Sequence, residues 1–311
     1  MKHTIKITLI LLSLFLVAQL IGIFVANQYL PEIKQTVNET TGQVTNETIY
    51  SLPYGLDPPK DVSPRDSVIS IVIALCIAVL LMFLFMKLRA ESVLRIWFTI
   101  VVVLGISIAL NAILIKLPYS AIISFIIALP LGIFKIFKRN AIIHNATELL
   151  IYPGIATVFI PILNIWAVVI LLVIISLYDM YAVWHSGFMQ KMAKFQIQKL
   201  KIFSGFFVTY IRKQDKLIIN NSRSVREKNK KLKKIKANVA ILGGGDVVFP
   251  IILAGVVLRT LGLWQALIIA LGATLALAYL FYRSEKGKFY PAMPFITIGC
   301  FIALIAIYLL S

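Results

Sequence analysis

Runs of about twenty apolar residues recur along this chain, and that length is what a helix needs to cross a bilayer. A helix satisfies its own backbone hydrogen bonds, so such runs read as membrane spans. Composition agrees: 60% of the 311 residues are hydrophobic and 14% are charged. A soluble domain is about half apolar and about a quarter charged. The chain is therefore expected to be an all-α polytopic membrane protein with nine transmembrane helices. They are placed at 5–26, 67–86, 93–115, 118–134, 145–163, 164–185, 238–258, 263–282 and 292–310. Pro153, Pro161 and Asn164 interrupt the fifth and sixth, whose connection must be short. The first run is too long for a signal-peptide core and no clear cleavage site follows it, so it reads as an anchor.

The formal net charge is +18, and its distribution decides what it means. With the N-terminus inside, the inner segments hold 26 of the Lys and Arg residues and the outer ones hold 5. The positive-inside rule then places the N-terminus in the cytoplasm and the C-terminus outside. Fifteen of those basic residues lie between Phe188 and Asn238. Basic residues beside spans report topology and anionic lipid, so lipid at this loop is expected and nucleic acid is not. The outer loop 27–66 has six acids against three bases, with N-x-T sequons at Asn38 and Asn46. The organisation read from this pattern is an N-terminal bundle over 1–187, a basic cytoplasmic loop over 188–237 and a C-terminal bundle over 238–311. The first half of the loop mixes Lys with Phe, Ile and Leu and reads as an interfacial amphipathic segment. Its second half reads as a solvated basic run.

Cys76 and Cys300 sit singly in apolar runs and form no metal or redox motif. His3, His144 and His185 form no ligand cluster, so neither a metal nor another cofactor is expected.

Two aspartates stand out. Asp179 closes the run LLVIISLYDMYAV and Asp246 lies inside NVAILGGGDVVFPIILAGVVL. A carboxylate at the centre of a membrane helix costs roughly 2.5 kcal/mol or more. At 1.5 Å per residue, Asp179 lies roughly 8 Å and Asp246 roughly 12 Å from the cytoplasmic edge. They belong to consecutive antiparallel spans and can face one another. Two carboxylates a few ångströms apart cannot both ionise cheaply, so the pair retains one proton. The ionised member can take a proton from water while the protonated member donates to a carbonyl under attack.

The neighbours fit that chemistry. Gly243, Gly244 and Gly245 disfavour helix but let another backbone come close. Pro291-Ala292-Met293-Pro294 opens the last span, and its prolines lack N–H donors, so a regular helix start is not expected there. Backbone groups left open at such a place could pair with an extended peptide by strand addition.

Tyr178-Asp179, Gly243-x-Gly245-Asp246 and Pro291-Ala292-Met293 resemble the YD, GxGD and PAL motifs of the presenilin and signal peptide peptidase family of intramembrane aspartyl proteases. Their order and spans match over essentially the whole chain, with Met where the third motif has Leu. Met is similar in volume, so the role is expected to survive. The resemblance implies a presenilin-like fold and Asp179 and Asp246 as the catalytic pair. It implies that Pro291, Ala292 and Met293 shape the site, and that substrates are transmembrane helices of other proteins. The N-in direction matches the presenilin branch. Compact loops resemble an archaeal homologue.

Two rival readings remain at this point. An ion-coupled transporter could use both acids as a relay, but such folds usually carry internal repeats and none is seen. A prepilin-type peptidase also carries GxGD, but is expected to place its first Asp in an early span. Glu148 is expected to pair with Lys138 or Arg139, and Asn111 to bond between helices. Tyr178 reads equally as a site border and as an interfacial tyrosine.

Overall fold

The computed structural model describes residues 5–37, 44–58, 64–88, 90–138, 140–184, 204–210, 238–285 and 290–310. His3, His185, Asn38 and the basic run after residue 210 lie outside the described residues. Among the described residues there are nine α-helices: α1 (Ile5–Gln28), α2 (Pro64–Lys87), α3 (Glu91–Leu114), α4 (Ser120–Phe137), α5 (Ala141–Phe159), α6 (Ile165–Trp184), α7 (Gly244–Leu261), α8 (Leu263–Arg283) and α9 (Met293–Leu310). Among the described residues seven of these, α1, α3, α4, α6, α7, α8 and α9, are long and apolar enough to cross a membrane. In α5 the polar residues His144, Asn145, Thr147 and Glu148 dilute an otherwise apolar helix.

Two small antiparallel sheets accompany the helices. β1 (Glu32–Val37) pairs with β2 (Val44–Ile49), running from Glu32 opposite Ile49 to Val37 opposite Val44. β3 (Gly205–Tyr210) pairs with β4 (Asn238–Gly243), running from Gly205 opposite Gly243 to Tyr210 opposite Asn238.

The second sheet corrects two expectations. Within the segment read as interfacial and amphipathic, Gly205–Tyr210 form a strand, and the seventh helix begins at Gly244 and not at 238. Ala240 and Leu242 are buried while Ile241 between them is 47% exposed. That two-residue alternation is the strand period. Six residues of it are hidden in sequence by the longer apolar window that follows. Asp246 is thus preceded by two helical residues, not eight, and a depth reckoned from helical rise over 238–246 does not hold.

α7 is the centre of the bundle, touching α1, α5, α6, α8 and α9. Ile251, Ile252, Leu253, Ala254, Val256 and Val257 are all at most 2% exposed, so it is buried on every side. A helix that is apolar all round belongs in that position. The outer helices turn Ile, Leu and Trp outward, as with Trp166 at 75% and Trp264 at 76% exposed. Between α3 and α5 the backbones approach closely at Gly105 and Gly154, where a Cβ added to Gly154 would strike the backbone of Gly105. Small residues at such crossings are how membrane helices pack without a hydrophobic driving force between them.

The break between α5 and α6 falls at 160–164, while Pro153 sits inside an unbroken α5. Asn164 caps α6, its Oδ1 accepting the Ala167 N–H at 2.7 Å. Arg259 of α7 donates to the carbonyls of Ile160, Pro161 and Leu163, satisfying the orphan acceptors of that turn. Asn111 bonds between helices as expected: its Nδ2 donates to Ser120 Oγ at 3.0 Å, and its Oδ1 accepts from Tyr29 Oη at 2.7 Å.

Candidate active site

The start of α7 follows from its glycines. Gly243 ends β4 in extended geometry, with φ −63° and ψ 146°, and serves as N-cap. Gly244 and Gly245 form the first helical positions and Asp246 the third. From there its carboxylate accepts the backbone N–H of Gly243. An acid three residues inside a helix reaching back to the cap amide is half of a capping box, and it meets the positive end of the helix dipole. Gly244 is required for a different reason. A Cβ there would lie 2.9 Å from Tyr152 Cε1 and 2.9 Å from Ser204 Oγ. At Gly245 the nearest atom would be 3.7 Å away, so that glycine is not needed for space.

Asp179 lies in the second half of α6 and is buried. Its Oδ2 accepts the N–H of Met293 at 3.1 Å. The Ala292 N–H is a second backbone donor to the same carboxylate. These two amides open α9. Pro291 and Pro294 on either side have no N–H to offer, so Asp179 caps α9 from another helix. α9 is regular from Met293 onward, with Ile296 N–H bonded to Ala292 O. The expectation of an irregular start is thereby corrected, because Asp179 supplies the acceptor that the helix start lacks. Ser176 Oγ and Thr297 Oγ1, 2.8 Å apart, tie the same two helices one turn away.

Asp179 and Asp246 lie within electrostatic reach of one another. Around them the structure gathers Gly243, Gly244, Pro291, Ala292 and Met293, the last 3% exposed. Tyr178 is 43% exposed and Gly245 is exposed, so both lie toward the edge of this arrangement.

Two features of the site were not read from sequence. Gln19 of α1 is fully buried and donates to Val247 O at 3.1 Å, next to Asp246. A glutamine inside an apolar run was the available signal. Glu148 pairs with Lys135 of α4 where Lys138 or Arg139 was expected, Arg139 lying outside the described residues, and His144 Nε2 lies 3.3 Å from the same carboxylate oxygen. Lys135 is one helical turn deeper than Lys138, which is the level Glu148 occupies.

The family model described as signal-peptide peptidase, presenilin aspartyl protease matches residues 55–311. The chain belongs to that family. This signal-peptide peptidase and presenilin relative is accordingly an aspartyl protease and an integral, multi-pass membrane protein. Its fold is similar to that of a presenilin family intramembrane aspartate protease solved in two crystal forms. One, in space group C222, has TM-score 0.60 and 16% identity, covering 98% of this chain and 99% of the other. The other, in P2, has TM-score 0.58 and 16% identity, covering 97% of each. No match was found among curated proteins.

Proposed function

We propose that this presenilin-family chain hydrolyses peptide bonds in or near the transmembrane helices of other membrane proteins, with Asp179 and Asp246 as the catalytic pair. One observation carries the reading. The two carboxylates of α6 and α7 lie within electrostatic reach, and each accepts a backbone N–H from a family-motif segment. Such a pair holds one proton. The ionised member removes a proton from water as its oxygen attacks the scissile carbonyl, and the protonated member donates to the carbonyl oxygen. The tetrahedral centre collapses as the C–N bond breaks and the leaving nitrogen takes a proton back from the pair.

A substrate helix hides its carbonyls in its own hydrogen bonds, so the cut segment must first unwind. β4 supports this step. It has β3 on one side, and among the described residues no strand on the other. An unwound segment can add to that open edge beside Gly243. We further read nine spans, with the N-terminus cytoplasmic and the C-terminus outside, and anionic lipid at the basic 188–237 loop.

The test is cleavage of single-span substrates by the purified protein in proteoliposomes, with fragments identified by mass spectrometry. Wild type should cut within or beside the span. Asp179→Asn and Asp246→Asn should each leave background activity with unchanged expression. A transition-state isostere with a hydroxyl at the scissile position should bind wild type and lose affinity in both variants. Turnover near wild type in either variant would sink the dyad.

A further inference from the structure

One face of α5 runs alongside β3 and ends at the start of α7. His144, Glu148 and Tyr152 recur every four residues and share that face, with Asn145 beside them. His144 Nε2 donates to Gly205 O at 2.9 Å. Glu148 Oε1 accepts the Gly205 N–H at 3.3 Å and also holds Lys135 of α4. Asn145 donates to Phe207 O at 2.9 Å and accepts the Phe207 N–H at 3.2 Å. Alternate residues of a strand direct both backbone groups to one side, so α5 side chains occupy the edge that a third strand would take. Tyr152 meets Phe206 edge to face, at 5.4 Å and 88°, and lies against Gly244. Gly205 in turn pairs with Gly243, whose N–H holds Asp246. An unbroken path therefore runs from Lys135 through Glu148, Gly205 and Gly243 to Asp246.

The composition of this path points beyond packing. Lys135 is 7% exposed, Glu148 1% and His144 8%. Well-packed apolar residues often stabilise a core as well as a buried ion pair does, so the pair's clearest product is a fixed geometry. We propose that His144, Asn145, Glu148 and Tyr152 are positioning residues for the dyad: they fix β3, thereby the β3–β4 register, and thereby where Asp246 stands at the head of α7. This rests on the dyad reading of the chain.

Hydrogen–deuterium exchange and cleavage kinetics test it together on the full chain in detergent. In His144→Leu and Asn145→Leu, amides of 205–210 and 238–246 should exchange at least tenfold faster, with α8 and α9 unchanged. Their kcat should fall at least tenfold with KM within threefold, and His144→Gln, which keeps a donor for Gly205 O, should recover most of both. If the leucine variants do not fold, Asn145→Asp removes the donor alone and carries the same two measurements. Unchanged exchange overturns the proposal. So does faster exchange with unaltered kcat, which would make the stripe a purely structural prop. A wild type that cleaves no substrate overturns the protease reading instead. Exchange at Gly243–Asp246 then decides by itself whether the stripe holds this turn.

Discussion

The backbone N–H of Met293 donates to Asp179 Oδ2 at 3.1 Å, so the third family motif reaches the site through its main chain. A hydrogen bond to a charged group is worth about 1.5–3 kcal/mol. Met293→Leu keeps the amide and much of the volume, and should retain activity within about threefold. Met293→Pro fits a first helical position but deletes the donor, and should lower kcat/KM by about 10- to 100-fold. Cleavage kinetics on one reporter distinguish them. Equal activity in the two variants would remove the amide from the mechanism.

Gly244 and Gly245 should respond oppositely to alanine. Helix propensity alone favours alanine by up to about 1 kcal/mol at either site. At Gly244 the new methyl meets Tyr152 and Ser204 at 2.9 Å, whereas at Gly245 it meets nothing nearer than 3.7 Å. Gly244→Ala should therefore lower both melting temperature and activity, while Gly245→Ala keeps the fold at least as stable. Thermal unfolding in detergent, read beside cleavage, checks both.

On the proposed reading, in which Asp179 and Asp246 share one proton, the pH dependence follows. At low pH both carboxyls are protonated and no base remains; at high pH both are ionised and no acid remains. The profile of kcat/KM should therefore be bell-shaped. A rate that climbs to a plateau through alkaline pH would mean that one carboxylate alone does the chemistry.

Arg259 should matter for stability more than for chemistry. Its guanidinium donates to three carbonyls of the turn between α5 and α6. A lysine has one ammonium and cannot match that fork. Arg259→Lys should cost about 2 kcal/mol of stability by the strength of charged hydrogen bonds, with kcat nearly unchanged. A melting curve and a single-substrate assay decide it.

The helices were legible because their signal is length and apolarity over twenty residues. The acids were legible because a carboxylate in such a run has few neutral explanations. What sequence concealed is short or remote. β4 is six residues long and merges with the apolar start of α7. Its partner β3 lies in a stretch whose mixed Lys and Phe residues suggest an interface. The helix cap at Met293 comes from Asp179, 114 residues away, and no local pattern announces it. Glu148 was rightly expected to pair, but the choice of Lys135 over Lys138 depends on how α4 and α5 lie against one another. Gln19 needed a three-dimensional neighbour before its place beside Val247 O could be seen.

Among the described residues the far edge of β4 carries no second strand, and that has one further consequence. Main-chain donors and acceptors without partners are not tolerated in hydrocarbon, so that margin must be wetted or covered by protein. It ends at Gly243, three residues before Asp246. On the proposed reading, water that wets this edge in the absence of a guest peptide stands beside the place where hydrolysis would consume it.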